Sequence, residues 1–125
     1  MLRKIKSKYA SEKTVLDGIT FDSRKEARRY AMLRLMEKKG LITDLQRQVP
    51  FDLAPAQYVD VVRHLKTKDK TVQVMVRRPM RYIADFTYYE NGIFIVEDTK
   101  GFRTDEYKKK KNLMRRIYEI DIKET

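Results

Sequence analysis

Apolar and polar positions follow two different periods along this chain. From Thr14 to Phe21, Val15, Leu16, Ile19 and Phe21 flank Asp17-Gly18, a dipeptide suited to a tight hairpin turn. Ser23-Arg24-Lys25-Glu26 reads as a capping box, in which each side chain satisfies the other residue's backbone N–H. Ala27, Tyr30, Ala31, Leu33, Leu35 and Met36 follow at helical spacing and Gly40 ends the pattern, which predicts a helix over 23–39. Leu45 to Leu53 has strand character interrupted by Pro50, as in an edge or bent strand. Tyr58–Leu65 and Thr71–Arg77 are rich in β-branched residues around the polar stretch 66–70, predicting a projecting hairpin with a charged tip.

Arg81–Glu90 and Ile93–Lys100 form the clearest strand pair, joined by Asn91-Gly92. Thr104 can cap a helix running to about Ile117, with Tyr107, Leu113, Met114 and Ile117 turned inward, and 118–123 alternates as a strand. The order predicts an α/β (α+β) fold: a mixed sheet with helices against it, whose last strand lies parallel to 93–100.

At 125 residues the chain suits a single domain, 1–125, with a basic N-terminal arm at 1–13 and a hairpin arm at 56–78. Apolar residues at 42% suffice for an ordinary core beside 38% charged ones. With no cysteine, neither a disulfide framework nor a thiolate metal site can form, and a reducing compartment such as the cytoplasm is expected. The basic start lacks the apolar run of a signal peptide or membrane anchor, so no membrane partner is expected. No nucleotide cofactor is expected either. A formal charge of +11 favours a polyanionic partner, nucleic acid first. Arg3, Lys4, Lys6 and Lys8 on a mobile arm suit phosphate contacts, or a solvated tail.

The candidate chemistry comes from register. With a two-residue turn at Asn91-Gly92, cross-strand partners have numbers that sum to 183, which sets Asp85 opposite Asp98. Such a non-hydrogen-bonded pair holds its Cβ atoms roughly 4.5–5.5 Å apart. Two carboxylates so placed repel, and either a shared proton or a divalent cation offsets this; Mg²⁺, with Mn²⁺ as substitute, binds through one or two carboxylates and keeps waters for a substrate phosphate. Alternation puts Lys100 on the same face as Asp98, where its ammonium can orient water, stabilise charge at phosphorus or position the acids. Alternation turns the neighbouring acid, Glu97, to the other face, although a β-bulge would exchange the two. Metal-assisted phosphodiester hydrolysis needs no histidine, and the one histidine, His64, reads as an exposed hairpin residue.

Ala84-Asp85, twelve residues, then Asp98-Thr99-Lys100 resembles the signature of the PD-(D/E)-x-K, or restriction-endonuclease-like, nuclease superfamily, with Ala84 in place of the motif's proline. Phe21-Asp22-Ser23-Arg24-Lys25-Glu26-Ala27, Gln46, Gln48, Tyr82-Ile83-Ala84-Asp85-Phe86 and Val96-Glu97-Asp98-Thr99-Lys100-Gly101 together resemble a family of small phage and prophage proteins within it. The likeness spans nearly the whole chain except about 56–78. It implies a helix, a three-stranded meander, a helix and a strand. It implies a metal held by Asp85, Asp98 and Thr99, joined by Glu26 if that residue is more than a helix cap. By the same analogy Gln48 lies near the metal or on DNA. Lys108–Lys111, Arg115 and Arg116 suit both a solvated helix face and phosphate contacts, Lys108, Lys111 and Arg115 being the candidates chosen. The expected function is a Mg²⁺-dependent DNA endonuclease acting on branched DNA such as a Holliday junction, as a homodimer in the host-cell cytoplasm if phage-encoded. The competing expectations are a non-catalytic nucleic-acid-binding module and a nuclease subunit of a larger complex.

Overall fold

The structure is a computed structural model that describes residues 3–6, 12–100 and 102–125, with side chains described from residue 13 onward apart from 101. The strands are β1 (Arg3–Lys6), β2 (Glu12–Leu16), β3 (Ile19–Phe21), β4 (Thr43–Ala54), β5 (Gln57–His64), β6 (Asp69–Arg77), β7 (Met80–Glu90), β8 (Ile93–Asp98) and β9 (Lys123–Glu124), and the helices are α1 (Arg24–Lys38) and α2 (Asp105–Tyr118). The fold is mixed α+β, its main sheet running β4-β7-β8-β9. β4, β7 and β8 form an antiparallel meander, and α2 carries the chain over to β9, which pairs with β8 in parallel. No helix among the described residues is long and apolar enough to cross a membrane.

Local chemistry accounts for most boundaries. Asp17 and Gly18 both take positive φ, 52° and 76°, as a tight turn between β2 and β3 requires. Asn91 and Gly92 repeat this at 53° and 75° between β7 and β8. Ser23 caps α1 by accepting from Glu26 N (3.2 Å), and Thr104 caps α2 by accepting from Tyr107 N (3.1 Å). The reciprocal half of the expected capping box is replaced: Glu26 Oε1 instead accepts a hydrogen bond from Gln48 Nε2 at 3.1 Å.

Several expectations need correction. Residues 3–6 are not a free arm, for they pair with β2 as an outer strand. Leu35 and Ile117 are about half exposed and Ala31 is exposed, because only a narrow stripe of each helix meets the sheet. The final strand is only two residues long, since α2 continues to Tyr118 and turns at Glu119 in the left-handed region (φ 58°). β8 likewise ends at Asp98, so Thr99 and Lys100 lie beyond it.

Two core clusters cover opposite faces of the sheet. Leu53, Tyr82, Ala84, Val96 and Ile122 pack with Tyr107 and Met114 of α2, whereas Ile42, Phe86 and Tyr88 pack with Leu33 of α1. Complete burial of one such side chain contributes about 1.5–3 kcal/mol. Alternation alone would put Ala84 and Phe86 on one face. They lie in different clusters, and on β4 the same is true of Leu45, on the α1 side, against Phe51 and Leu53 on the α2 side. Both strands therefore exchange faces between these residues. On β4 the interval holds Gln48, whose φ is 51°, and on β7 it holds Asp85, the residue that the flanking pairs Arg47↔Phe86 and Val49↔Ala84 set beside it.

Candidate functional site

Asp85 sits at this crossover, between the fully buried Ala84 and Phe86. The β7–β8 ladder runs from Glu90↔Ile93 to Phe86↔Glu97, each pair summing to 183, and stops one step short of Asp85 and Asp98. Asp98 there turns to β9, pairing with Glu124. The two carboxylates are nonetheless close enough to interact, since burial and then the charge of Asp85 raise the Asp98 carboxyl. Asp85 Oδ2 accepts from the backbone N (3.0 Å) and Oγ1 (2.9 Å) of Thr99, so Thr99 holds Asp85 in place.

Asp98 is 1% exposed. Its Oδ2 accepts from the Tyr82 hydroxyl at 2.6 Å. Its Oδ1 is buried with no hydrogen-bond donor, although Lys100 Nζ stands 3.2 Å away as an ion-pair partner. The two facts agree if the ammonium attracts Oδ1 by charge without the direction a hydrogen bond requires. Burial pushes the Asp98 carboxyl up to about 6, reinforced by the charge of Asp85 and opposed by Tyr82 and Lys100. Lys100 Nζ also lies 4.6 Å from the ring centre of Tyr107, so its cation is held between a carboxylate and an aromatic face. The expected nearness of Lys100 to Asp98 is present, but Lys100 lies beyond the end of β8, so continued strand alternation does not produce it.

Glu26 approaches from the first turn of α1 and is 4% exposed. Burial first, then the charges of Asp85 and Asp22, raise its carboxyl to about 7, while Arg47 opposes the shift. Gln48, on the crossover, donates to it. Glu97, the rival acid, lies on the other face and is fully occupied. Arg29 grips both its oxygens, Nε at 2.6 Å and the second guanidinium nitrogen at 2.8 Å, and the Tyr88 hydroxyl adds a third bond at 2.6 Å.

Three acids thus share one neighbourhood with one lysine. Among the described residues no three or more His, Cys, Asp or Glu form a group able to enclose a metal ion. The fit is to a cation that needs only one or two carboxylates. Asp85 with Asp98, whose Oδ1 is buried and lacks a donor, offers hard oxygen ligands of the kind Mg²⁺ takes. A cleft of about 300 Å³ opens beside them, lined by Arg81, Tyr82, Lys100, Thr104, Tyr107 and Lys110.

The remaining candidates are dispersed. Lys111 is tied to Glu124 (2.8 Å) and Arg115 to Asp121, so both are engaged within α2 and its sequel, while Lys108 is exposed. Arg3, Lys4 and Lys6 lie on β1, and Lys8 falls outside the described residues. His64 is exposed and pairs with Asp69 at 2.8 Å. Tyr82 and Tyr107, which hold Asp98 and Lys100, escaped the sequence reading because a tyrosine in a strand or on a helix reads equally well as core. The only available signal was Tyr82's position three residues before Asp85.

The chain belongs to a family described as "Protein of unknown function (DUF1064)", which matches residues 6–125. No curated protein and no solved structure matches it.

Proposed function

We propose that the chain is a metal-dependent deoxyribonuclease of the PD-(D/E)-x-K type, hydrolysing phosphodiester bonds with Asp85, Asp98 and Lys100. The observation that carries this reading is the meeting of Asp85 with a buried, donor-poor Asp98 whose remaining oxygen faces Lys100. A helix, three-stranded meander, helix and parallel strand supply the order that the sequence resemblance implies. The net charge of +11 suits a DNA substrate.

In this reading Asp85 and Asp98 hold the cation, and Mg²⁺ or Mn²⁺ supplies Lewis acidity toward the phosphoryl oxygens and a lowered pKa to water. Thr99 fixes Asp85 and Tyr82 fixes Asp98, which limits the motion of both acids. Lys100, charged and adjacent to Asp98, is placed to stabilise charge developing at phosphorus. Glu26, its carboxyl raised to about 7, joins the same neighbourhood, ionising only as pH climbs past neutrality, and accepts from Gln48.

Branched DNA such as a Holliday junction is the first substrate to try, with a homodimer supplying the two active sites that paired cuts demand. The test is a cleavage panel of junction, flap, single-stranded and linear DNA with Mg²⁺ and with Mn²⁺. Metal-dependent scission that Asp85→Ala, Asp98→Asn and Lys100→Ala each abolish, in folded protein, is the expected result. Salt-sensitive binding without scission on any substrate would sink the nuclease reading and leave a binding module or a subunit that needs its partner.

A further inference from the structure

The β5–β6 hairpin contributes nothing to the acid site and forms a sheet of its own. Two strands without a third strand or a covering helix are marginal alone in water. Every residue of β5 is exposed, as are most of β6. Cross-strand valines stiffen the ribbon: Val59 pairs with Val74 and Val61 with Val72, and such β-branched neighbours stabilise a two-stranded ladder.

Beyond the valines the register sets Arg63 directly across from Lys70. Like charges opposed in this way destabilise a sheet. Neither has an ion-pair partner among the described residues, and Lys66 and Lys68 extend the cluster into the exposed turn. Of the two acids in 57–78, against six Lys and Arg, Asp69 is taken by His64. A ribbon that crowds four cations at its tip is suited to an anion that is itself extended, because one small counter-ion could offset only part of that charge.

We propose that β5–β6 is a DNA-gripping ribbon, which lays Arg63, Lys66, Lys68 and Lys70 against the phosphates of a duplex. A two-stranded β-ribbon fits the major groove of B-form DNA. Eight residues of strand reach about 25 Å, so the tip touches DNA well away from the bond at the acid site. The inference rests on DNA being the substrate and concerns how the duplex is held, not how it is cut.

The experiment uses the full chain and a fluorescent 30-base-pair DNA duplex in EDTA, with affinity measured by anisotropy over a range of salt. The variant carries Arg63→Gln, Lys66→Gln, Lys68→Gln and Lys70→Gln, and a milder one carries only the two turn changes, Lys66→Gln and Lys68→Gln. Affinity should fall at least about tenfold in the four-site variant, with a log–log salt slope shallower by about three; the milder variant should lose about half of that slope. An unchanged slope and affinity in either folded variant overturns the ribbon. So does tighter wild-type binding to an RNA duplex of the same sequence, because the deep, narrow major groove of A-form RNA shuts a ribbon out. The nuclease reading fails separately: if the ribbon variants lose binding while wild type cuts no DNA with either metal, the ribbon stands and the nuclease does not.

Discussion

At the scale of single residues, the two neighbouring acids of β8 have opposite tasks. Glu97 is fully buried and gripped at both oxygens by Arg29, so Arg29→Ala leaves a buried charge unpaired and should cost about 3–5 kcal/mol in a urea titration. Asp98 is buried beside another acid, and Asp98→Asn relieves that repulsion. In the metal-free protein at pH 8, Asp98→Asn should therefore melt higher than wild type, with the advantage disappearing near pH 4. A lower melting temperature at pH 8 would mean that Asp98 is a supporting ion-pair residue like Glu97. Alternation in the sequence already separated these two acids onto different faces. Apart from Tyr82's place three residues before Asp85, it did not reveal that Tyr82 and Tyr107 hold Asp98 and Lys100, since the first contact depends on the face exchange in β7 and the second on where α2 packs.

At the scale of elements, turns and caps were legible and helix faces less so. Asp17-Gly18, Asn91-Gly92, Ser23 and Thr104 act through their immediate neighbours, and each marks a boundary in the structure. Thr104→Ala removes the acceptor for Tyr107 N and should lower stability by about 1 kcal/mol. Glu119 closes α2 in the left-handed region, a conformation that costs most non-glycine residues about 1–2 kcal/mol. Glu119→Gly should consequently raise the denaturation midpoint, and a lower midpoint would show that the Glu119 side chain contributes more than its backbone costs. Leu35 and Ile117 show the limit of periodicity: an apolar residue can continue a pattern past the edge of the sheet that would cover it.

At the scale of the whole molecule, stability and metal binding should be linked through pH. The folded-state carboxyls of Asp98 and Glu26 are raised, to about 6 and about 7, from ordinary values near 4. A raised carboxyl binds its proton more tightly in the folded state. The stability it contributes is complete below pH 4 and is lost as pH climbs through 6 and 7. A divalent cation competes for the same oxygens, so Mg²⁺ should raise the melting temperature more at pH 8 than at pH 5.5. Differential scanning fluorimetry at both values checks this, and an equal or larger shift at the lower pH would count against Asp85 and Asp98 as metal ligands.

The sequence by itself determined the hairpins at 14–21, 58–77 and 81–100, the helix starts, the parallel return of the last strand and the approach of Asp85 to Asp98, because each follows from period, turn chemistry, a connecting helix or a count along one ladder. Only the tertiary structure decided that β4 and β7 exchange faces at Gln48 and Asp85, which brings Glu26 from the α1 side toward acids on the α2 side. It also decided that β8 ends at Asp98, leaving Lys100 between a carboxylate and an aromatic ring. The reason is physical: a local period assumes that a strand keeps its faces, and packing against two helices on opposite sides of one sheet overrides that assumption where their cores meet.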